Sequence, residues 1–243
     1  MRSTYVLLGV AAATMASGAS ADPIFDTFGP LPQATFGGTG IPNDEVAAGT
    51  QFVDGQNTIT IALSATQRFS NPALGNDGAG TYFATPGSNF GGNAESTTEG
   101  SRWNFNFYIS IEAPSGSSPR LADYQIDLFY DFDTGADTAI GDLGRINVTN
   151  SILVSSDPNA TVTQGSQNLL FGFLGTSIPN LLDAPAGSFD PNALGEYSFA
   201  LTVSQIGGLP LETVAIDVDV VPAPASAALL AAGGLAMARR RRR

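Results

Sequence analysis

The feature that most constrains the fold is a strict alternation of apolar and polar residues in several segments. Residues 103–111 place Trp103, Phe105, Phe107, Ile109 and Ile111 at every second position. Residues 121–132 repeat the pattern, and their apolar face consists of Tyr124, Ile126, Leu128, Tyr130 and Phe132. Because successive side chains of a β-strand point to opposite faces, this period of two predicts half-buried strands. The turn-rich segment 113–119 between them suggests that the two strands are hairpin partners.

Shorter segments of the same kind predict the rest of the fold. Further strands are expected at residues 51–53, 58–65, 81–84, 144–154, 166–173, 195–205 and 213–220, with one short helical turn at 180–186. About eight or nine strands with frequent turn signals and hardly any helical periodicity favour an all-β fold. We therefore predict that residues 22–220 form one antiparallel β-sandwich, jelly-roll-like, without a second core.

The first 21 residues are typical of a secretory signal peptide. Arg2 supplies the positive charge, residues 5–15 are apolar, and Ala19 and Ala21 occupy the small-residue positions of a cleavage site. We expect the secretion translocon to export the chain and the mature protein to begin at Asp22.

The last 23 residues have three parts in a fixed order. The motif Val221, Pro222, Ala223, Pro224, Ala225 comes first, an uncharged segment follows at 226–238, and the chain ends on Arg239, Arg240, Arg241, Arg242 and Arg243. The middle segment would form a helix of about 20 Å, short of the roughly 30 Å hydrocarbon core. The segment can span the hydrocarbon core only if the residues of the motif extend the helix and the arginine side chains reach to the membrane interface. The arginine run predicts a cytoplasmic C-terminus and an outward-facing domain.

This tail resembles the PEP-CTERM class of bacterial sorting tails, in particular the variant with the signature Val-Pro-Leu-Pro-Ala. Ala223 stands where that signature has leucine, and the resemblance covers about a tenth of the chain. It implies processing by a membrane protease of the exosortase type. It also implies a place at the cell surface or in the extracellular matrix of exopolysaccharide-producing bacteria. An ordinary C-terminal membrane anchor is the alternative.

Composition excludes several kinds of chemistry. The chain contains no histidine and no cysteine, so Ser-His-Asp catalysis, thiolate nucleophiles, imidazole zinc sites and disulfides are absent. All 22 acidic residues lie between Asp22 and Asp219, a region with only four arginines, which gives it a charge of about −18. Such a charge repels phosphate backbones, and we expect no nucleic acid partner.

One acidic segment has the spacing of a calcium loop. Asp131, Asp133 and Asp137 follow the spacing Asp-x-Asp-x-Gly-x-Asp around Gly135, with Asp142 further on, and such carboxylates are the hard oxygen ligands that Ca²⁺ prefers. The sequence departs from an EF-hand, because Gly135 stands where an acid is expected and strand-like sequence precedes the loop. The alternative is an Asp/Gly-rich turn whose carboxylates cap backbone N–H groups.

Three function classes remain open at this stage. The first is an exported, non-enzymatic structural or interaction protein, and the second is a carbohydrate-binding or adhesive module of the exopolysaccharide matrix. The second would need exposed aromatic side chains, for which Tyr82, Phe83 and Tyr108 are the candidates, although packing in the core or on a sheet face is the ordinary role of such side chains. The third is a carboxylate-based hydrolase, but Glu95, Glu99 and Glu112 show no spacing that assembles a catalytic pair. No catalytic residue is predicted.

Overall fold

The computed structural model describes residues 22–36, 46–68, 74–90, 99–136, 138–139, 141–154 and 157–222. The signal peptide predicted at 1–21 and the tail from residue 223 onward lie outside these residues. In the described part, no helix has the length and apolar character needed to cross a membrane. Its strands are β1 (Thr27–Pro30), β2 (Val46–Asp54), β3 (Asn57–Gln67), β4 (Gly75–Asn76), β5 (Thr81–Ala84), β6 (Ser88–Asn89), β7 (Gly100–Ser101), β8 (Trp103–Glu112), β9 (Tyr124–Tyr130), β10 (Gly144–Asn147), β11 (Val162–Gln167), β12 (Leu182–Asp183), β13 (Gly195–Gln205) and β14 (Pro210–Val220), and its one α-helix is α1 (Val148–Val154).

The strands form two large sheets and one small one. The first sheet has the order β1-β2-β3-β8-β11 and the second the order β12-β10-β9-β13-β14-β5-β4, while β6 and β7 pair separately. Neighbouring strands are antiparallel except β14 and β5, which run parallel. The prediction of an all-β fold with antiparallel sheets is confirmed.

Aromatic side chains from both large sheets meet in the core between them. The Phe105 ring on β8 stacks on the Phe199 ring on β13, with centroids 4.6 Å apart, and lies 6.2 Å from the Tyr130 ring on β9. The Trp103 ring lies 5.7 Å from the Tyr197 ring. The apolar faces that the alternation predicted for residues 103–111 and 121–132 are both buried in this core.

The predicted hairpin between residues 103–111 and 121–132 is wrong. Strand β8 pairs with β3 and β11, whereas β9 pairs with β13 and β10 in the other sheet. The intervening segment therefore crosses from one sheet to the other. Both strands bury their apolar faces in the same core, so the alternation that each strand shows fits either arrangement.

The second face of β8 is buried as well, although the sequence predicts a half-buried strand. Asn106 is 1% exposed and donates to the Thr66 hydroxyl at 3.2 Å. Tyr108 is 4% exposed because it packs against the segment 31–36. The Gln164 side-chain oxygen on β11 accepts the N–H groups of Thr35 and Phe36, at 2.8 and 2.9 Å, and holds that segment in place.

The strand predicted at 144–154 ends at Asn147, and α1 follows. The Asn147 side-chain oxygen accepts the Asn150 N–H at 2.8 Å, which is the bond of a helix N-cap. The Thr149 hydroxyl donates to the Tyr124 carbonyl at 2.7 Å and accepts the Ile126 N–H at 2.8 Å. These bonds dock the helix on β9 and override the β-branched composition of the segment.

The strand predicted at 166–173 is displaced to β11, which ends at Gln167. The buried Asn168 amide turns the chain there, since it accepts the Ser101 and Leu170 N–H groups and donates to the Trp103 carbonyl. A short 3₁₀ helix, Gly172–Gly175, follows. Residues 180–186, predicted as a helical turn, instead contain β12.

Candidate functional site

The acidic loop predicted from the sequence begins where β9 ends. The Asp131 Oδ1 atom accepts the Asp133 N–H at 2.8 Å, and the Asp133 Oδ1 atom accepts the Gly135 N–H at 2.7 Å. Each bond joins an aspartate side chain to the backbone N–H two residues further on and so forms an Asx turn, which is a common role of aspartate in loops. Both carboxylates therefore shape the loop, and this is the capping that the turn interpretation expects.

Three of the four predicted calcium ligands border one open depression. Its volume is about 310 Å³, and it is lined by Asp131, Asp133, Gly135, Ala136, Thr138, Ala139, Asp142, Pro185 and Ala186. Asp137, the fourth predicted ligand, lies outside the described residues. Among the acidic side chains that the structure describes, no group of three is arranged to hold a metal ion by itself.

Asp131 differs from Asp133 and Asp142, the other two described acids of the loop, because its side chain is buried. The residue is 1% exposed, and its Oδ2 atom has no hydrogen-bond partner that meets the usual distance and angle criteria. Burial raises the pKa of Asp131, and the Thr138 side chain and the N–H groups of Asp133 and Ser198 oppose this rise. These groups compensate only part of the cost of burying an ionised carboxylate, because the net direction of the pKa change is upward.

Gly195 fixes the loop against the start of β13. Its φ is +141°, and a Cβ at this position would lie 2.2 Å from the Thr134 carbonyl oxygen. That oxygen accepts the Glu196 N–H at 3.3 Å. Only glycine permits both the backbone conformation and this close approach, so the loop is joined directly to a central strand of the sheet.

The loop lies at the end of the second sheet where the chain leaves toward its C-terminal tail. Gly195 is opposite Val220 in the β13–β14 ladder, and Val220 is opposite Ala84 in the β14–β5 ladder. The Val221 N–H donates to the Ala84 carbonyl at 2.9 Å, so the first motif residue is still attached to the sheet. We call this end of the domain the exit end.

The other predicted sorting and cleavage residues cannot be located. Val221 and Pro222 are the only motif residues in the described ranges, and Pro222 is exposed. Ala223, Pro224 and Ala225, the run from Arg239 to Arg243, and the cleavage residues Ala19 and Ala21 lie outside them.

Among the residues that the structure describes, the remaining sequence candidates do not come together in a second site. Tyr82 is fully buried and donates its hydroxyl to the Val46 carbonyl at 2.7 Å, and Tyr108 is 4% exposed, which leaves Phe83 as the exposed member. Glu99 bonds the Ser88 hydroxyl before β8 begins, whereas Glu112 is at the far end of that ten-residue strand. Glu95 lies outside the described residues.

Sequence reasoning missed part of the depression. Pro185 and Ala186 follow β12 and complete its wall, although they lie more than 40 residues from Asp131 in the chain. Thr138 was missed too, although it lies inside the acidic segment. No local pattern marks Pro185 or Ala186, because the pairing of β10 with β12 brings them to the loop. No protein-family model, curated protein or solved structure matches the chain.

Proposed function

We propose that this chain is an exported, non-enzymatic protein of the cell surface or extracellular matrix, delivered by its C-terminal tail. The observation that carries the proposal is the tail itself, a proline-bracketed motif, a short apolar segment and a terminal arginine run. Its partners in this proposal are the secretion translocon and an exosortase-type membrane protease, with exopolysaccharide as the surrounding matrix.

The geometry of the exit end supports this proposal. Strand β14 is an interior strand of the second sheet, between β13 and β5, and four of its side chains are buried in the core. The chain passes from this strand to the motif with no linker between them. A domain joined in this way would lie close to the membrane, and the protease would meet the motif beside a rigid surface.

A jelly-roll-like sandwich forms part of the same proposal. After β3 the chain passes to the second sheet for β4 and β5, returns for β8, crosses again for β9 and β10, and returns once more for β11. Repeated crossing between two facing sheets is characteristic of Greek-key and jelly-roll arrangements. Such scaffolds hold many functions, so the tail rather than the fold carries the functional argument.

Intact-mass analysis of the protein isolated from its native host tests both ends. We expect a chain that begins at Asp22 and lacks the terminal arginines. Retention of the arginines would overturn processing and leave an ordinary anchor, and retention of Met1 would overturn export by a cleaved signal peptide.

A pair of variants links the processing to the motif. The double substitution Pro222→Ala and Pro224→Ala should leave the arginine run on the chain. Pro210→Ala is the matched control, because Pro210 begins β14 at the opposite end of the strand. If both variants are processed like the parent, the motif is not what the protease recognises.

A further inference from the structure

We propose that the depression at the exit end binds one Ca²⁺ ion, with the Asp131 Oδ2 atom as its anchoring ligand. The proposal goes beyond the sorting function and does not depend on it. It places a ligand site on the domain itself.

The first argument is the uncompensated oxygen of Asp131. Nearly all buried polar side-chain atoms in folded proteins have a partner, and an exception calls for a missing water, proton or ion. Asp131 Oδ1 is occupied by the Asp133 N–H, whereas Oδ2 is buried without a hydrogen bond and belongs to a residue that lines the depression. A cation in the depression would supply the missing partner.

The second argument is the charge around that oxygen. Asp133 and Asp142 border the same depression and are exposed. The ion pairs of the described residues use Arg120 with Asp123 and Arg145 with Asp127 and Asp183, so these two arginines are held by other acids. A bound divalent cation would relieve the repulsion among the three carboxylates of the depression.

The ligand chemistry selects Ca²⁺ among the divalent cations. The chain offers no imidazole or thiolate, so metals that prefer nitrogen or sulfur are disfavoured. The carboxylates of Asp131, Asp133 and Asp142 do not converge by themselves, and about 310 Å³ leaves room for several waters at about 30 Å³ each. Ca²⁺ accepts six to eight oxygens in irregular geometry, including hydroxyl, carbonyl and water oxygens, whereas Mg²⁺ requires a compact octahedron.

The position of the loop predicts what binding would do. The loop contacts β13 through the Thr134 carbonyl and the Glu196 N–H, so an ion that holds the loop in its folded conformation also holds the start of this central strand. Because the ion binds the folded state, unfolding should shift to higher denaturant concentration as Ca²⁺ is added, and the shift should follow mass action.

The test uses the full chain, purified in a mild detergent because of its apolar tail, and titrates it with CaCl₂ by calorimetry. We expect one saturable site, at least tenfold weaker binding of Mg²⁺, and no effect of NaCl at matched ionic strength. Asp131→Asn preserves the shape of the side chain and should weaken Ca²⁺ binding at least tenfold. Asp157→Asn is the matched control, because Asp157 also closes a two-residue turn, with its Oδ1 atom accepting the Asn159 N–H at 3.2 Å.

Two further measurements keep the outcome decisive. If Asp131→Asn does not fold, Asp133→Asn serves in its place, since Asp133 is exposed. Terbium luminescence, excited through tyrosine and displaced by Ca²⁺, reports occupancy without reference to stability. Equal responses to Ca²⁺ and Mg²⁺, reproduction of the response by NaCl, or unchanged Ca²⁺ binding in the aspartate variant would each overturn the proposal.

Discussion

The stacked pair Phe105 and Phe199 offers a direct test of how the two sheets face each other. The rings lie 4.6 Å apart with an interplanar angle of 24°, and both side chains are at most 1% exposed. Phe105 belongs to the first sheet and Phe199 to the second. If the sheets pack as described, replacing one ring should change the unfolding free energy that is lost when the other ring is replaced.

The perturbation is Phe105→Leu, Phe199→Leu and the two together. Leucine keeps most of the buried apolar surface, so each single substitution should cost about 1.5 kcal/mol of unfolding free energy. An aromatic pair contributes about 0.5–1.5 kcal/mol beyond the burial of its surface. The double variant should therefore lose about 1 kcal/mol less than the sum of the two single losses.

Urea unfolding, followed by far-UV circular dichroism and by the fluorescence of the single tryptophan, measures these free energies. The control pairs Phe199→Leu with Ile59→Val. Ile59 is also on the first sheet, in β3. The residue of β3 opposite Phe105 is Ala65, and Ile59 lies six positions from Ala65, or about 20 Å at roughly 3.3 Å per residue. Substitutions this far apart should be additive within about 0.5 kcal/mol. A coupling between Phe105 and Phe199 no larger than in this control would refute the facing-sheet arrangement.

Three further outcomes are expected. Gly195→Ala should lower the unfolding free energy by about 3 kcal/mol in the same urea assay, because the new Cβ would clash with the Thr134 carbonyl. Gly187→Ala is the control and should cost about 1 kcal/mol, because Gly187 has φ +84° but open space around it. Burial raises the pKa of Asp127, so ionisation of this carboxyl destabilises the folded state above the folded-state pKa, and the penalty disappears as the pH falls below the unfolded-state pKa. Asp127→Asn should therefore be more stable than the parent at pH 7 and equal to it near pH 3. A stability advantage of the variant that persists at pH 3 would contradict this. Residues 22–222 alone should give a β-type circular dichroism spectrum and one cooperative unfolding transition, and a disordered or helical spectrum would show that the domain needs its ends.

The predicted secondary structure is wrong in segments whose local sequence is compatible with more than one conformation. Four of the seven residues at 148–154 are β-branched, which suits a strand, but the Asn147 cap and the bonds of Thr149 to β9 select a helix. Residues 169–173 are mostly apolar, which suits a strand, but the Asn168 amide bonds Ser101 and Trp103, more than 60 residues away in the chain. Short segments have weak intrinsic preferences, so these distant bonds decide their conformation.

The candidate site was also predicted only in part from the sequence. The acidic spacing from Asp131 to Asp142 is visible in the sequence, and it identified three residues that border the depression. The sequence does not show that Asp131 is buried whereas Asp133 and Asp142 are exposed, or that Pro185 and Ala186 form the opposite wall. Burial of a carboxylate depends on the strands and loops that pack around it, and in this domain they come from separate parts of the chain.

By itself, the sequence determined that the fold is built from β-strands and which face of β8 and of β9 packs in the core between the sheets. Both follow from a period of two, which each strand carries in its own residues. Only the tertiary structure decided which strands are neighbours, since β8 and β9 have the same alternation but belong to opposite sheets. Strand pairing depends on contacts between residues far apart in the chain, and an alternating pattern is the same whichever partner a strand takes.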